Sequence, residues 1–303
     1  MLCTRPRAVV TGCASGIGDA VVDRLLSDGT EVIGLDVALG PPRPGVDFHC
    51  VDLSDPMSID AFADAVTEPL AGVYNCAGLS SGAASPLHVM EVNFIGLRHL
   101  TERLVCHIIE GGGIVSVASI AARGWPNVRK GLDELVSTRG FAAGRRWCEA
   151  HPDRLTQGGY RLSKQAVIYW TMHVTTALAA KGVRINCVSP GVTDTPMLVA
   201  AAADLGADRV AGHWTPLNRM AAPSEQADAL IYLNSERASY VTGVNLWVDG
   251  GFDAAFTVGH VPVRESHRRP HAAATSTSTC ESASEAMGGL LTPEEGPCSR
   301  LTS

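Results

Sequence analysis

The stretch Arg7-Ala8-Val9-Val10-Thr11-Gly12-Cys13-Ala14-Ser15-Gly16-Ile17-Gly18 decides the fold. Arg7–Thr11 is short, apolar and β-branched, so it reads as a buried strand. From Ile17 to Ser27 apolar residues recur at three- and four-residue spacing, so a helix follows. Between them Gly12, Gly16 and Gly18 permit a tight turn, close approach of backbone to a pyrophosphate and close packing of helix on strand. Ser15, Gly16 and Ile17 open the helix, whose N-terminus offers free N–H groups and a positive dipole end to phosphates.

Working outward, strand patterns recur at Glu31–Asp36, Asp47–Val51, Gly72–Asn75, Gly113–Ala118, Val183–Val188 and Val244–Val248. Helical patterns such as Met57–Thr67 lie between most of them. This alternation predicts an α/β fold, a Rossmann-type doubly wound parallel sheet of about seven strands with helices on both faces. A ligand then binds at the carboxyl ends of the strands. Residues 38–46 hold three prolines, so the crossover helix there is expected to be short or absent. A single catalytic domain is expected over 1–260, interrupted by an insertion at 121–157. Residues 261–303, rich in Ser, Thr, Ala, Pro, Glu and His without an apolar period, are expected to form a disordered tail.

The bulk composition narrows the function classes. The chain has 303 residues, 46% of them hydrophobic, which suffices for one large core. No apolar run reaches the roughly 18 to 20 residues of a membrane span, and the N-terminus lacks the pattern of a secretory signal. A net charge of −7 argues against a nucleic-acid binder and for a protein acting on a small molecule. The nine cysteines show no two-residue pairing of a zinc or redox motif, so buried free thiols in a reducing cytoplasm are expected.

The second strand ends at Asp36, 18 residues beyond Gly18. A carboxylate there accepts hydrogen bonds from both adenosine ribose hydroxyls and repels a 2′-phosphate, which favours NAD (NADH) over NADP. Arg43 is the one nearby cation that bears against this reading. Further along, Tyr160 precedes Lys164 by four residues in a segment that reads helical to Ala180, so the two share a helix face. A free Tyr has a pKa of about 10 and is a poor base, and a neighbouring ammonium stabilises its phenolate.

Taken together, these motifs resemble the short-chain dehydrogenase/reductase family over about residues 5 to 256. The resemblance rests on the glycine loop at 11–18, Asp52-Leu53 after the third strand, and Asn75-Cys76-Ala77-Gly78 after the fourth. Asn93 in a helix, Ser119 after the fifth strand, Tyr160/Lys164, Pro190-Gly191 after the sixth and Val248-Asp249-Gly250-Gly251 complete it. It implies that Tyr160 exchanges a proton with the substrate oxygen while hydride passes between substrate carbon and nicotinamide. It further implies that Lys164 lowers the Tyr160 pKa and holds the nicotinamide ribose, and that Ser119 hydrogen-bonds the substrate oxygen. Asn93 would anchor a water joining Lys164 to solvent. Asp52 and Leu53 would meet adenine, Asn75, Ala77 and Gly78 would line the cofactor site, and Pro190, Gly191, Val192 and Thr195 would meet the nicotinamide end.

Ser119 and Tyr160 lie 41 residues apart, far more than the family usually has, which marks 121–157 as the insertion. Its apolar residues Leu132, Leu135, Val136, Phe141 and Trp147 suggest two short helices, and its seven basic residues against four acidic ones suggest a solvated face. An insertion here resembles the bacterial 3α-hydroxysteroid dehydrogenase/carbonyl reductases and the coniferyl-alcohol dehydrogenases, and the sequence does not choose between them. A second variable segment, Met197–Pro216, is expected to close over a mid-sized hydrophobic alcohol or ketone. The leading expectation is an NAD(H)-dependent enzyme of steroid type, then one acting on an aromatic primary alcohol. A non-catalytic NAD-sensing regulator on the same fold is the reading from another class. No nucleic-acid or membrane partner is expected. Family members commonly pair through the helices carrying Asn93 and Tyr160, so a homodimer or larger homo-oligomer is expected unless the insertion obstructs that face.

Overall fold

In the computed structural model the described residues are 7–38, 40, 42–205 and 214–261, with the side chains of 201–205 excepted. All seven expected strands form. They are β1 (Arg7–Thr11), β2 (Glu31–Asp36), β3 (Val46–Cys50), β4 (Leu70–Asn75), β5 (Ile108–Val117), β6 (Arg184–Pro190) and β7 (Asn245–Val248). They pair in the order β3-β2-β1-β4-β5-β6-β7, parallel throughout. The chain runs outward one way from β1 to β3, then returns to β4 and runs outward the other way. That reversal opens a crevice beyond the carboxyl ends of β1 and β4, where loops diverge to opposite faces.

The helices obey local chemistry as well as apolar period. Helix α1 (Gly16–Ser27) starts at the glycine loop. Helix α2 (Pro56–Ala65) has Pro56 in its first turn, and Asp55 caps it by accepting from Met57 N at 2.9 Å. Ser85 similarly caps the short α3 (Pro86–Met90), accepting from His88 N at 3.3 Å. A π-helical stretch, Glu91–Gly96, leads into α4 (Leu97–Leu104). As the prolines require, β2 passes to β3 with no helix among the described residues between them.

Strand alternation sorts the core into two layers. Ala8 and Val10 of β1 pack on Val21, Val22 and Leu25 of α1 and on Ala227 and Leu230 of a later helix, Pro223–Asn234. Val9 faces the other way, into a larger cluster with Ile59, Leu100, Val167 and Ile168. Helices therefore cover both faces of the sheet. The described residues belong to one compact unit, Met1–Val261. Beyond Val261, the expected tail lies outside the described residues. Among the described residues no helix is long and apolar enough to cross a membrane.

The insertion folds as α5 (Arg129–Val136) and α6 (Gly140–Ala150), matching the two expected helices. Leu132 and Leu135 are fully buried as α5 lies on α7 (Tyr160–Ala179), the helix that starts at Tyr160. The Tyr169 hydroxyl donates to Asp133 Oδ1 at 2.9 Å across that contact. Helix α6 packs on the π-helical stretch. The insertion thus covers the faces of the helices that carry Asn93 and Tyr160. Thiol burial departs from expectation: Cys13, Cys148 and Cys187 are buried, whereas Cys50 and Cys106 are exposed because they fall on the outer side of their elements.

Candidate active site

A cleft of about 580 Å³ opens at the carboxyl edge of the sheet, beyond β1 and β4. At one end the glycine loop forms its floor. Gly18 packs so close to the preceding turn that a Cβ there would stand 2.1 Å from Gly12 O, so no side chain fits. Gly12 N donates to Leu35 O at 2.8 Å, fixing the loop to the end of β2. Thr11 Oγ1 accepts from Cys76 N and Ala77 N at 3.1 and 3.0 Å, which joins the floor to the end of β4. Ser15, Gly16 and Ile17 line this end, as does Asp36.

The Asp36 carboxylate accepts from Ala14 N at 3.0 Å and Ala38 N at 3.3 Å, so backbone donors hold it at the cleft wall. Arg43, the cation able to offset it, is engaged elsewhere. Its guanidinium bridges Asp19 Oδ1 at 2.6 Å and Asp23 on α1. This pocket end accordingly keeps a net acidic character. Asp52 and Leu53 also line the cleft, and Asp52 is exposed, with its carboxylate turned to Ser54 N and Oγ at 2.8 and 2.7 Å.

At the other end three functional groups face the same space. Ser119 follows β5, is 8% exposed, and accepts from Ala121 N at 3.1 Å, which leaves its hydroxyl hydrogen to donate elsewhere. Tyr160 stands at the N-terminus of α7. Burial pushes its phenol pKa up, and a hydrogen bond with Ser119 offsets part of that rise. Lys164, one turn on, is 3% exposed, and its Nζ donates to Val117 O at 2.8 Å and lies 5.8 Å from the Tyr160 ring centre. Loss of hydration lowers the Lys164 ammonium to about 8. Serine, phenol and a strongly desolvated amine around one cavity are the groups that proton transfer and oxyanion stabilisation require.

The loop after β6 forms the remaining wall, with Pro190, Gly191, Val192 and Thr195 on the cleft. Ala77 and Gly78 line it too. Two expected residues stand behind the wall. Asn75 is 1% exposed, and its Nδ2 donates to Thr101 Oγ1 at 3.0 Å and Ser116 Oγ at 3.2 Å. Asn93 is fully buried on the π-helical stretch, accepting from Leu79 N at 2.7 Å and donating to Leu79 O at 2.9 Å and Ser163 Oγ at 3.2 Å. Its amide therefore positions the loop after Gly78, and Oδ1 keeps a second lone pair.

Several lining residues carry no signal of their own in the sequence. Cys76 sits inside the quoted motif, and Thr193 inside the loop after β6, so adjacency could have found both. His88 and Val92 reach the cleft only because α3 and the π-helical stretch abut the start of α7. Of the second variable segment, Met197 and Leu198 at the start of α8 (Pro196–Leu205) line the cleft, while 206–213 lie outside the described residues.

Comparison with known proteins accords with this geometry. The family described as short chain dehydrogenase matches residues 6–129, and that described as enoyl-(acyl carrier protein) reductase matches 154–253. The stretch between the two matches lies within the insertion. A coniferyl-alcohol dehydrogenase from Pseudomonas sp. is 34% identical over 84% of this chain and all of its own length. A 3-alpha-hydroxysteroid dehydrogenase/carbonyl reductase from Comamonas testosteroni is 29% identical over 81% of this chain and 96% of its own. Among solved structures, the 3-alpha-hydroxysteroid dehydrogenase from Pseudomonas sp. B-0831, complexed with NADH, is similar with a TM-score of 0.73. It is 30% identical, with 83% of this chain and 98% of that one covered.

Proposed function

The chain belongs to the short-chain dehydrogenase/reductase family, and from that premise we propose that it is an NAD(H)-dependent oxidoreductase interconverting an alcohol and a carbonyl on a mid-sized hydrophobic substrate. The observation that carries this reading is the convergence of Tyr160, Ser119 and Lys164 on one end of a cleft whose other end is the glycine loop with Asp36. The steroid-type and aromatic-alcohol readings both fit the apolar segments Ile120 and Met197–Leu198 on its wall. The 34% identity to a coniferyl-alcohol dehydrogenase favours the second as an alternative to the first. A sensor without turnover would have no use for a desolvated lysine beside a phenol, so the retained pair supports an enzyme.

The residues present fit a dinucleotide. The glycine floor leaves room for a pyrophosphate at the α1 N-terminus, and the Asp36 carboxylate suits two ribose hydroxyls. Gly191, Val192 and Thr195 would hold the nicotinamide end. When bound, the cofactor supplies a hydride acceptor or donor. The chain's own part is proton transfer: Tyr160 takes the proton from the substrate hydroxyl while Ser119 donates to the same oxygen and keeps it in line. Lys164 stabilises the phenolate that must form. Steady-state assays with NAD and NADP against steroids, coniferyl alcohol and simple aromatic alcohols test the proposal, and NAD binding without oxidation of any alcohol would overturn it.

The wall chemistry leads to an expected cofactor preference. Asp36→Ser removes hydrogen bonds to a charged acceptor, so NADH affinity is expected to fall by roughly 10- to 100-fold. NADPH affinity should rise, because the carboxylate no longer faces the 2′-phosphate. Titration with both cofactors checks this, and unchanged discrimination would remove Asp36 from the site.

A pH dependence follows from the pair at the other end. Burial raises Tyr160 and lowers Lys164 to about 8, so the pair's first proton leaves near that pH. The singly deprotonated pair is shared between amine–phenol and ammonium–phenolate forms, and the latter is the base for oxidation. Alcohol oxidation is therefore expected to climb through pH of about 8 with the slope of one proton. Lys164→Met leaves only the raised phenol, so the climb should move above pH of about 10. An unmoved profile would mean that another group sets it.

We also propose a homodimer or larger homo-oligomer. Its contacts would have to avoid the faces of the π-helical stretch and α7 that the insertion covers, and sedimentation of the intact protein measures the state.

A further inference from the structure

The proton-transfer steps leave one imidazole on the cleft wall without a role. His88 lines the cleft from α3. It is brought there by Gly159, at φ +77, whose lack of a side chain lets the α3 backbone approach. A Cβ on Gly159 would lie 2.3 Å from Pro86 O, so the first turn of α3 abuts the residue before Tyr160. His88 is therefore part of the cleft wall on the side where α3 meets α7, and its side chain is 43% exposed.

Behind the imidazole is a carboxylate that water barely reaches. The Glu91 side chain is 8% exposed, with Oε2 at 3.5 Å from His88 Nδ1. Its other oxygen, Oε1, lies 3.1 Å from Arg145 Nη1 on the insertion helix α6, and Arg145 Nε in turn donates to Glu149 at 3.0 Å. Burying a carboxylate is unfavourable unless cations or donors face it. Here Arg145 and His88 face it at ion-pair distance, while Oε1 has no hydrogen-bond partner among the described residues. A carboxylate on the Nδ1 side favours the hydrogen on that nitrogen, leaving Nε2 on the ring's far side, away from Glu91. His88, backed by this buried carboxylate, is the polar group that α3 offers to the cleft. A freely rotating surface histidine needs no such buried partner.

We propose that His88, oriented by Glu91 and through it by Arg145 of the insertion, binds a second hydroxyl of the substrate, remote from the carbon that exchanges hydride. The substrate class is a hydrophobic alcohol bearing another hydroxyl, phenolic or alicyclic. This deepens the alcohol dehydrogenase reading of the cleft and rests on it. It also gives the insertion a task at the site: α6 carries the arginine that holds Glu91 in place. His88 is a specificity residue here, and Glu91 and Arg145 are positioning residues.

The test compares 4-hydroxycinnamyl alcohol with cinnamyl alcohol, which differ by one hydroxyl. Binding of each to the NADH-loaded protein is measured by calorimetry, alongside KM and kcat with NAD. The intact protein is expected to prefer the hydroxylated ligand by about tenfold or more, the value of one buried hydrogen bond to a polar partner. His88→Ala should bring that ratio close to one, with the change in KM and not in kcat. Glu91→Gln and Arg145→Met should lower it in part, and His88→Gln should restore some of it. NADH affinity reports the integrity of each variant. If the intact protein shows no preference, or if His88→Ala keeps it, the proposal fails. Failure of the enzyme reading looks different, since neither alcohol would then yield NADH while the binding ratio would still be measured.

Discussion

Replacing Tyr160 by phenylalanine is expected to lower kcat by about 100- to 10,000-fold, the usual worth of a positioned general acid or base. The change removes one oxygen and keeps the ring, so the packing at the start of α7 survives. NADH binding should be nearly unchanged, because the glycine floor and Asp36 lie at the other end of the cleft. The loss corresponds to about 3 to 5 kcal/mol of transition-state stabilisation. Neither of the two groups that share this end of the cleft replaces it. Ser119 retains a hydroxyl but carries no neighbouring cation of its own, and Lys164 donates to Val117 O at 2.8 Å. Measured kcat and KM for the best alcohol, with NADH titration of the same preparation, check the expectation. A variant that kept most of its rate would sink the proton-transfer role.

The largest effect on stability is expected at Arg98, which is fully buried on α4. Its Nη1 donates to Leu135 O and Val136 O, both at 3.3 Å, and to Thr138 Oγ1 at 3.1 Å, and Nη2 donates to Gly140 O at 3.1 Å. These acceptors are the last carbonyls of α5 and the turn into α6, so one guanidinium satisfies the C-terminus of the first insertion helix. Its charge meets Glu102 only at 3.9 Å, and burial lowers the Arg98 pKa while it raises that of Glu102. Arg98→Ala takes the side-chain donor from Val136 O and Gly140 O, while Leu135 O keeps Thr138 N and Oγ1, and it opens a cavity, at a loss of about 3 to 5 kcal/mol. Urea unfolding of the two proteins measures it, and limited proteolysis should cut first near 137–140. A difference below about 1 kcal/mol would mean that water replaces the guanidinium.

Much of the frame was legible because parallel strands buried on both faces are continuous apolar runs with turn residues at their ends. The observed strand limits therefore differ from the expected ones mainly where a run extends, as in β5, which begins at Ile108 through a glycine stretch that the pattern cannot score. Four catalytic candidates stood out by their order along the chain, and Ser119, Tyr160 and Lys164 do meet in the cleft. Asn75 and Asn93 could not be sorted in the same way. A polar residue beside a cleft motif either faces the ligand or ties down the wall behind it, and its direction depends on strand pleat and helix phase.

The cofactor end illustrates the same division. Asp36 was readable from its distance to the glycine loop, but the fate of Arg43 was not. Only folding brings Asp19 and Asp23, on one face of α1, against Arg43 and removes that cation from the pocket.

By itself, then, the sequence determined the doubly wound sheet, the glycine floor and the Tyr160/Lys164 pair, because each rests on spacing within one strand, loop or helix. The tertiary structure alone decided which side of the wall the asparagines occupy, that the insertion packs on the π-helical stretch and α7, and that α3 brings His88 to the cleft wall. Those outcomes depend on contacts between segments far apart in the chain, where a few ångströms of backbone approach, as at Gly159, select the neighbour.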